Sequence, residues 1–142
     1  MKTFFTITLL SLLSAHSAFS QLVKQNTFEN SDWSGTHCSP YADSILQGTY
    51  NYKFSNGNKI EGYLVYYTDM SCTTKTGYSE NMTSGTYKIL NSWHEGSNEV
   101  FNIQVKYDHL NYDLTFKVTL NENEMTLCRN SNRSCGKYLR IK

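Results

Sequence analysis

The chain has 142 residues, with one proline, four cysteines and a formal net charge of +1. This length suits one domain with one modest core. A charge so close to neutral argues against a dedicated nucleic-acid binder, which carries a basic excess on one face.

The first twenty residues have the pattern of an export signal. Met1-Lys2-Thr3 is a short positive start, and an apolar run from Phe4 to Leu13 follows it. Ala18-Phe19-Ser20 then places small residues where a signal peptidase needs them for cleavage before Gln21. The apolar run is shorter than the ~20 residues that a membrane-spanning helix requires. We therefore predict a signal peptide over residues 1–20, no membrane span, and a secreted or periplasmic mature protein.

The region before residue 47 is the least regular, and we expect one short helical turn within residues 39–46. From Thr49 onward, apolar and polar residues alternate with a period of two, which predicts strands with one buried face. The first such strand ends at Asn56-Gly57-Asn58, which is a strong hairpin turn because Asn and Gly accept positive φ. Residues 59–68 form the next predicted strand, and it is apolar on both faces.

Residues 69–72 interrupt this pattern and predict a loop. An irregular strand over residues 73–82 and a turn at Ser84 and Gly85 are expected next. The following strand is predicted to carry Tyr87, Ile89, Asn91 and Trp93 on one face.

The two most regular strands follow a turn at residues 95–98. The first has Phe101, Ile103, Val105 and Tyr107 on one face, and the second has Tyr112, Leu114, Phe116, Val118 and Leu120. Residues 121–124 predict another hairpin turn, and residues 137–141 predict a final strand.

About eight strands joined by short turns predict an all-β fold. Consecutive antiparallel strands form a meander, and closure into a barrel removes its exposed edges. A two-sheet sandwich is the alternative, but sandwiches usually need longer crossing connections. Our prediction is a single antiparallel up-and-down β-barrel of about eight strands over residues 21–142.

All four cysteines lie in the predicted mature part. An even count in an oxidising compartment indicates two disulfides, for which three pairings exist. We favour Cys128 with Cys135, because the six residues between them are rich in turn formers, and this leaves Cys38 with Cys72. A zinc site is the rival interpretation, but neither Cys-x-x-Cys nor a paired histidine spacing occurs.

An eight-stranded meander with an early tryptophan and a disulfide resembles the calycin superfamily, which comprises the lipocalins and lipocalin-like proteins. More narrowly, the chain is similar to small exported bacterial lipocalin-like proteins. The matching motifs are Trp33 followed by Cys38, then Asp69-Met70-Ser71-Cys72, then Gly85-Thr86-Tyr87. Lipocalins proper carry Gly-x-Trp, whereas this chain has Trp33-Ser34-Gly35. The resemblance implies a barrel that binds a small ligand and a basic residue packed over the tryptophan, for which Arg140 is the best-placed candidate.

Aromatic residues on the predicted inward faces are the candidate ligand-binding residues. Small barrels either fill their interior with side chains or hold one small ligand, and tyrosine suits both arrangements. We predict a small apolar or amphipathic ligand in or at the mouth of the barrel, with a completely packed core as the alternative. The candidates are Tyr50, Tyr52, Tyr66, Trp93, Tyr107 and Tyr112.

A second candidate site lies on the opposite face of the strand over residues 59–68. Tyr63, Val65 and Tyr67 form an aromatic stripe there, and an exposed stripe of this kind marks a partner contact. This favours an interaction or inhibitor protein that binds a secreted or cell-surface protein. The alternative is that residues 22–28 cover the stripe.

The sequence contains no recognisable catalytic constellation. His37, His94 and His109 lack the spacing of a metal pair or a catalytic triad, and no set of nucleophile, base and oxyanion donors is apparent. We therefore predict a non-enzymatic protein without a metal or another cofactor.

Overall fold

The alternating segments form antiparallel β-strands, with β-branched and aromatic residues on their buried faces. The computed structural model describes residues 29–41, 45–131 and 134–141, and the predicted signal peptide lies outside them. Nine strands occur in the described residues: β1 (Ser31–Gly35), β2 (Ser39–Pro40), β3 (Gln47–Ser55), β4 (Lys59–Tyr67), β5 (Lys75–Glu95), β6 (Asn98–Tyr107), β7 (Leu114–Leu120), β8 (Glu124–Arg129) and β9 (Cys135–Arg140). This described part contains no helix long and apolar enough to cross a membrane.

Eight of these strands close into a barrel. Each strand from β3 to β9 pairs with the next one along the chain, and β1 pairs with both β9 and β3. The two-residue strand β2 extends the sheet beside the start of β3. The predicted all-β, up-and-down barrel of about eight strands is therefore confirmed. We call the end at which β1, β4, β6 and β8 finish the open end.

Short turns rich in Asn and Gly connect most strands, as predicted. Gly57 and Asn58 have φ of 75° and 60° in the β3–β4 turn, and Gly96 has φ of 63° in the β5–β6 turn. In the β7–β8 turn the side-chain oxygen of Asn121 accepts hydrogen bonds from the backbone N–H groups of Asn123 and Glu124. Asn and Gly mark the turns because both tolerate a left-handed backbone, and because the Asn side chain can accept hydrogen bonds from free backbone N–H groups.

One predicted turn is wrong, and the predicted helical turn lies only partly within the described residues. Ser84 and Gly85 lie inside β5, a continuous strand of 21 residues, and do not form a turn. The glycine is needed because a Cβ there would collide with the backbone oxygen of Lys106 on the neighbouring strand. In place of the expected helical turn, Ser39 and Pro40 form β2, and residues 42–44 lie outside the described residues.

A β-bulge in β5 changes which side chains face the interior. The pairing of β5 with β6 shifts between Ile89 and Asn91, so Leu90 is the extra residue and its side chain is exposed. Tyr87 and Ile89 face inward as predicted. Beyond the bulge, Asn91 pairs with Asn102 and Trp93 with Val100, on the outer face of the barrel. The prediction that Trp93 faces the interior is therefore wrong, because one inserted residue reverses the alternation.

The hydrophobic core lies inside the barrel at the end opposite the open end. Trp33 on β1 is only 1% exposed, and Phe54, Phe101 and Met125 are fully buried with it in one apolar cluster. The Trp33 indole N–H donates a hydrogen bond to the Ser31 hydroxyl at 2.9 Å. The Arg140 guanidinium lies 5.2 Å from the centre of the Trp33 ring, as the lipocalin-like resemblance implied, in a cation–π arrangement.

Both predicted disulfides are present. Cys38–Cys72 joins the segment between β1 and β2 to the β4–β5 loop, and Cys128–Cys135 joins β8 to β9. Both therefore lie at the open end of the barrel. Two disulfides indicate folding in an oxidising, extracytoplasmic compartment.

The loop that carries Cys72 is organised by one carboxylate. Asp69 accepts hydrogen bonds from the backbone N–H groups of Thr73 and Thr74 and from the Thr73 hydroxyl. These N–H groups stabilise the charged form and hold the pKa of Asp69 at about 2. Cys72 has a left-handed backbone, with φ of 53°, so the turn presents its sulfur towards Cys38.

Replacing both Cys38 and Cys72 by serine should lower the free energy of unfolding by ~2–5 kcal/mol, because the disulfide restricts the unfolded chain. Denaturant unfolding of the purified protein measures this value. The pair Cys128→Ser and Cys135→Ser is the matched comparison. The Cys128–Cys135 disulfide links residues that are 7 apart in sequence, whereas Cys38 and Cys72 are 34 apart. Chain entropy therefore predicts that its removal lowers the free energy of unfolding by roughly 1 kcal/mol less. An equal or larger loss for that pair would contradict the entropic account.

Asp69→Asn should destabilise the protein at neutral pH, because the amide is a weaker acceptor for the N–H groups of Thr73 and Thr74. A carboxylate whose pKa is lowered by folding stabilises the protein above its unfolded pKa of ~4. That contribution is lost as the pH falls from about 4 to about 2. Thermal melts of both proteins from pH 7 to pH 2 should therefore converge at the acid end. A constant difference in Tm would contradict this.

Candidate functional site

A cavity of about 340 Å³ lies at the open end of the barrel, and we call it the mouth cavity. Strand alternation directs side chains from β3, β6, β7, β8 and β9 into it, above the packed core. Aromatic and aliphatic groups dominate its lining. They are Tyr50, Tyr52, Tyr107, Tyr138, Leu110, Leu114, Phe116 and Leu127. The polar and small lining residues are Thr83, His109, Arg129, Ser134 and Gly136.

Three of the lining tyrosines form a chain of ring contacts. The rings of Tyr50 and Tyr52 are 5.2 Å apart, and those of Tyr52 and Tyr138 are 5.3 Å apart, both in edge-to-face geometry. This geometry is favourable for aromatic quadrupoles. The Tyr50 hydroxyl is also within hydrogen-bond distance of the Thr83 hydroxyl, at 3.1 Å. The aromatic wall of the cavity is therefore held together by its own contacts.

Two glycines make room for these rings. A Cβ at Gly62 on β4 would collide with the hydroxyl of Tyr50, and one at Gly136 on β9 would lie 2.6 Å from the hydroxyl of Tyr138. Both contacts are shorter than real Cβ atoms make. Glycine at these positions thus lets two bulky side chains lie flat against the wall.

Burial keeps the tyrosine hydroxyls protonated. Desolvation, followed by the neighbouring Tyr107, Tyr138 and Tyr50, raises the pKa of Tyr52 far above its usual range. Desolvation also raises the pKa of Tyr107 to about 12 and that of Tyr138 to about 12. The charge of Arg129 acts on Tyr107 in the opposite direction, which indicates that the guanidinium faces this group. At neutral pH these hydroxyls are neutral and can donate hydrogen bonds.

Arg129 is the lining residue that the sequence analysis missed. It lies on the same face of β8 as the buried residues Met125 and Leu127, and it pairs with Phe116 of β7. Its Nε atom is buried and has no hydrogen-bond partner within the described part of the chain. The signal was the alternation Met125-Leu127-Arg129, but Arg129 was assigned to the turn between the two cysteines.

The predicted ligand-binding residues fall into two groups. Tyr50, Tyr52 and Tyr107 line the mouth cavity together. Tyr66 is buried but does not line the cavity, because its hydroxyl donates to Glu80 at 2.7 Å and its ring packs against Tyr41.

The other two predicted residues lie outside the interior. Tyr112 belongs to the loop before β7 and is 54% exposed, so its expected inward placement is wrong. The strand begins two residues later, at Leu114. The Trp93 indole N–H donates to Glu95 on the outer surface, where Lys117 lies 5.5 Å from the ring centre and forms a 3.1 Å ion pair with Glu95.

Tyr63, Val65 and Tyr67 lie on the outer face of β4, as predicted, and line a cleft of about 290 Å³. They do not form a fully exposed stripe. Tyr67 is only 4% exposed, and the Tyr63 hydroxyl donates a 2.5 Å hydrogen bond to Asp32 of β1. Residues 22–28, which were expected as an alternative cover for this face, lie outside the described residues.

A further cleft of about 230 Å³ lies at the end of the barrel opposite the mouth cavity. It contains Trp33 and Arg140, and two carboxylates, Glu99 and Glu122, also line it. The positive charge of Arg140 in this cleft is therefore accompanied by two negative charges, whereas the described lining of the mouth cavity includes no carboxylate. Within the described part of the chain, no group of three or more His, Cys, Asp or Glu residues could hold a metal ion.

The chain matches no protein-family model, no curated protein and no solved structure. The closed barrel is consistent with the lipocalin-like fold that the resemblance implied, and no family match confirms membership. The geometry of the mouth cavity is therefore the basis for the function proposed below.

The raised tyrosine pKa values predict alkaline destabilisation. Folding raises the pKa of Tyr107 and Tyr138 from the usual ~10 to about 12. The unfolded chain therefore loses these protons first, so stability is full below pH ~10 and falls as the pH rises towards 12. Tyrosinate absorbance and circular dichroism, followed together from pH 8 to pH 13, should show these phenols ionising as the fold is lost. Complete ionisation with an intact dichroism spectrum would contradict this assignment.

Proposed function

We propose that the protein is an exported, non-enzymatic binding protein that holds one small apolar or amphipathic molecule in the mouth cavity. The observation that carries this proposal is the cavity of about 340 Å³, open at one end of a barrel and walled by aromatic and aliphatic side chains. Binding sites for small molecules are usually concave, mostly apolar and equipped with a few polar groups. The mouth cavity is concave, and apolar side chains and polar groups contribute about equally to its surface, which suits an amphipathic molecule.

The size of the cavity limits the size of the ligand. Ligand sites usually measure ~300–1,000 Å³, so this cavity is at the lower end of the range. A cavity of ~150 Å³ holds one benzene molecule. A molecule of about two fused rings, or a medium-length hydrocarbon chain, is therefore the expected class. Larger ligands are disfavoured because Phe54, Phe101 and Met125 fill the barrel below the cavity.

The alternative is a protein-interaction or inhibitor module that binds a secreted or cell-surface partner through Tyr63, Val65 and Tyr67. The outer cleft beside these residues supports this alternative. We favour the mouth cavity because Tyr67 is buried and the Tyr63 hydroxyl already has an acceptor in Asp32. Tyr67 therefore offers little surface to a partner, and the exposed aromatic residue that lines this cleft is Tyr78 instead.

Secretion or periplasmic export is part of the proposal. The two disulfides support an oxidising location. The signal-peptide pattern over residues 1–20 supports export by sequence alone.

Filling the mouth cavity should abolish binding. Leu114→Trp introduces a large ring from the cavity wall, and it should weaken binding of the neutral two-ring probe 1-naphthylamine at least about tenfold, since the cavity is near the lower size limit. The matched control is Leu139→Trp, because Leu139 is 48% exposed on β9 and does not line the cavity. The rise in Tm with added probe measures binding by wild type and both variants. No rise for the wild type, or equal rises for the two variants, would overturn the proposal.

A further inference from the structure

We propose that the ligand carries a carboxylate, which the guanidinium of Arg129 binds inside the mouth cavity. This inference rests on the proposed function, because it specifies the chemical class of the molecule held there. Three independent observations lead to it: the unpartnered nitrogen of Arg129, the distribution of charge around the cavity, and the arrangement of its apolar wall.

The first observation is the buried nitrogen. The Nε atom of Arg129 is inaccessible to water and has no hydrogen-bond partner among the described residues. A buried donor without a partner is costly, so native proteins usually pair such groups. The backbone around Arg129 is firmly placed, since its N–H donates to the oxygen of Ser134 at 2.8 Å and the next N–H, of Asn130, donates to Thr115 at 3.0 Å. The side chain is thus held in the cavity with donor capacity unused.

The second observation is the charge around this group. Among the described residues, no acidic side chain lines the mouth cavity, and the other ionisable lining groups are His109 and four tyrosines. Burial raises the pKa values of Tyr52, Tyr107 and Tyr138, so these three hydroxyls are neutral at physiological pH. At the opposite end of the barrel, by contrast, Arg140 shares its cleft with Glu99 and Glu122. Among the described residues, the lining of the mouth cavity thus combines a cation with hydrogen-bond donors and includes no carboxylate.

The third observation is the apolar wall beside the guanidinium. Phe116 is the cross-strand partner of Arg129, and Leu127 precedes it by two residues on the same face. An amphipathic ligand can therefore place its carboxylate on Arg129 and its hydrocarbon part along these side chains. Arg129 is partly buried and lines the cavity, and the planar fork of its guanidinium matches the two oxygens of a carboxylate.

A pair of ligands that differ only in charge tests this inference. Octanoate and octanamide have the same size and shape, and isothermal titration calorimetry measures the dissociation constant of each. Wild-type protein should bind octanoate about ten- to a hundredfold more tightly than octanamide, which is the usual gain for hydrogen bonds to a charged group.

Variants assign the preference to one residue. Arg129→Gln should reduce the ratio of the two affinities to near one, and Arg129→Lys should give an intermediate ratio, because it keeps the charge but loses the planar fork. Lys106→Gln is the matched control. It removes the same charge from the next-to-last residue of β6, where the side chain is exposed and lies outside the cavity, so the ratio should remain that of the wild type.

The outcomes separate this inference from the proposed function. If octanoate and octanamide bind the wild type equally, or if Arg129→Gln keeps the full preference, Arg129 does not bind a carboxylate, and binding of the neutral probe still supports the carrier. If wild type binds neither these ligands nor 1-naphthylamine, the proposed function itself fails. The wild-type ratio needs no variant, so the inference can be refuted even if Arg129→Gln does not fold.

Discussion

The barrel depends on β1, a strand of five residues that hydrogen-bonds to two neighbours at once. Ser31–Gly35 pairs with β3 on one side and with β9 on the other. Asn51 of β3, although fully buried on the outer face, accepts a hydrogen bond from the Gly35 N–H at 3.0 Å. Without β1 the sheet would have two free edges, and the core would lose Trp33, its largest side chain.

The two ends of this barrel are built differently. One end is packed by Trp33 and its neighbours in the core cluster, with Arg140 across the indole ring. At the other end, glycines at positions 62 and 136 let tyrosine rings lie against the wall, and a cavity remains between them. The packed core and the proposed binding cavity therefore lie at different ends, because a fully packed interior leaves no space for a ligand.

Both disulfides lie at the end that contains the cavity. Cys128–Cys135 holds β8 to β9 immediately beside Arg129, and Cys38–Cys72 fixes the β4–β5 loop to the segment after β1. A cavity removes packing contacts that would otherwise hold strand ends together. The covalent links act where those contacts are missing, so the open end can keep its shape without a filled core.

Sequence alone was sufficient for the features that depend on neighbouring residues. The regular alternation of β6 and β7, the Asn-Gly turns and the pairing of the four cysteines were all predicted, because each is encoded within a short stretch of chain. The inward placement of Tyr50, Tyr52 and Tyr107 followed from the same alternation. The local pattern therefore determined the fold class and three of the six candidate ligand-binding residues.

Tertiary structure decided the rest, because it depends on what lies across from each residue. The bulge at Leu90 results from the register of β5 against β6, and it moves Trp93 to the outer face. The sequence predicts Gly85 to be a turn residue, but the structure shows that a Cβ there would collide with the backbone of Lys106. Arg129 lies only one residue after a cysteine that was expected to open a turn, and its importance arises because strand closure brings it opposite four tyrosines and no carboxylate. A sequence pattern with a period of two does not show which distant strands come together in this way.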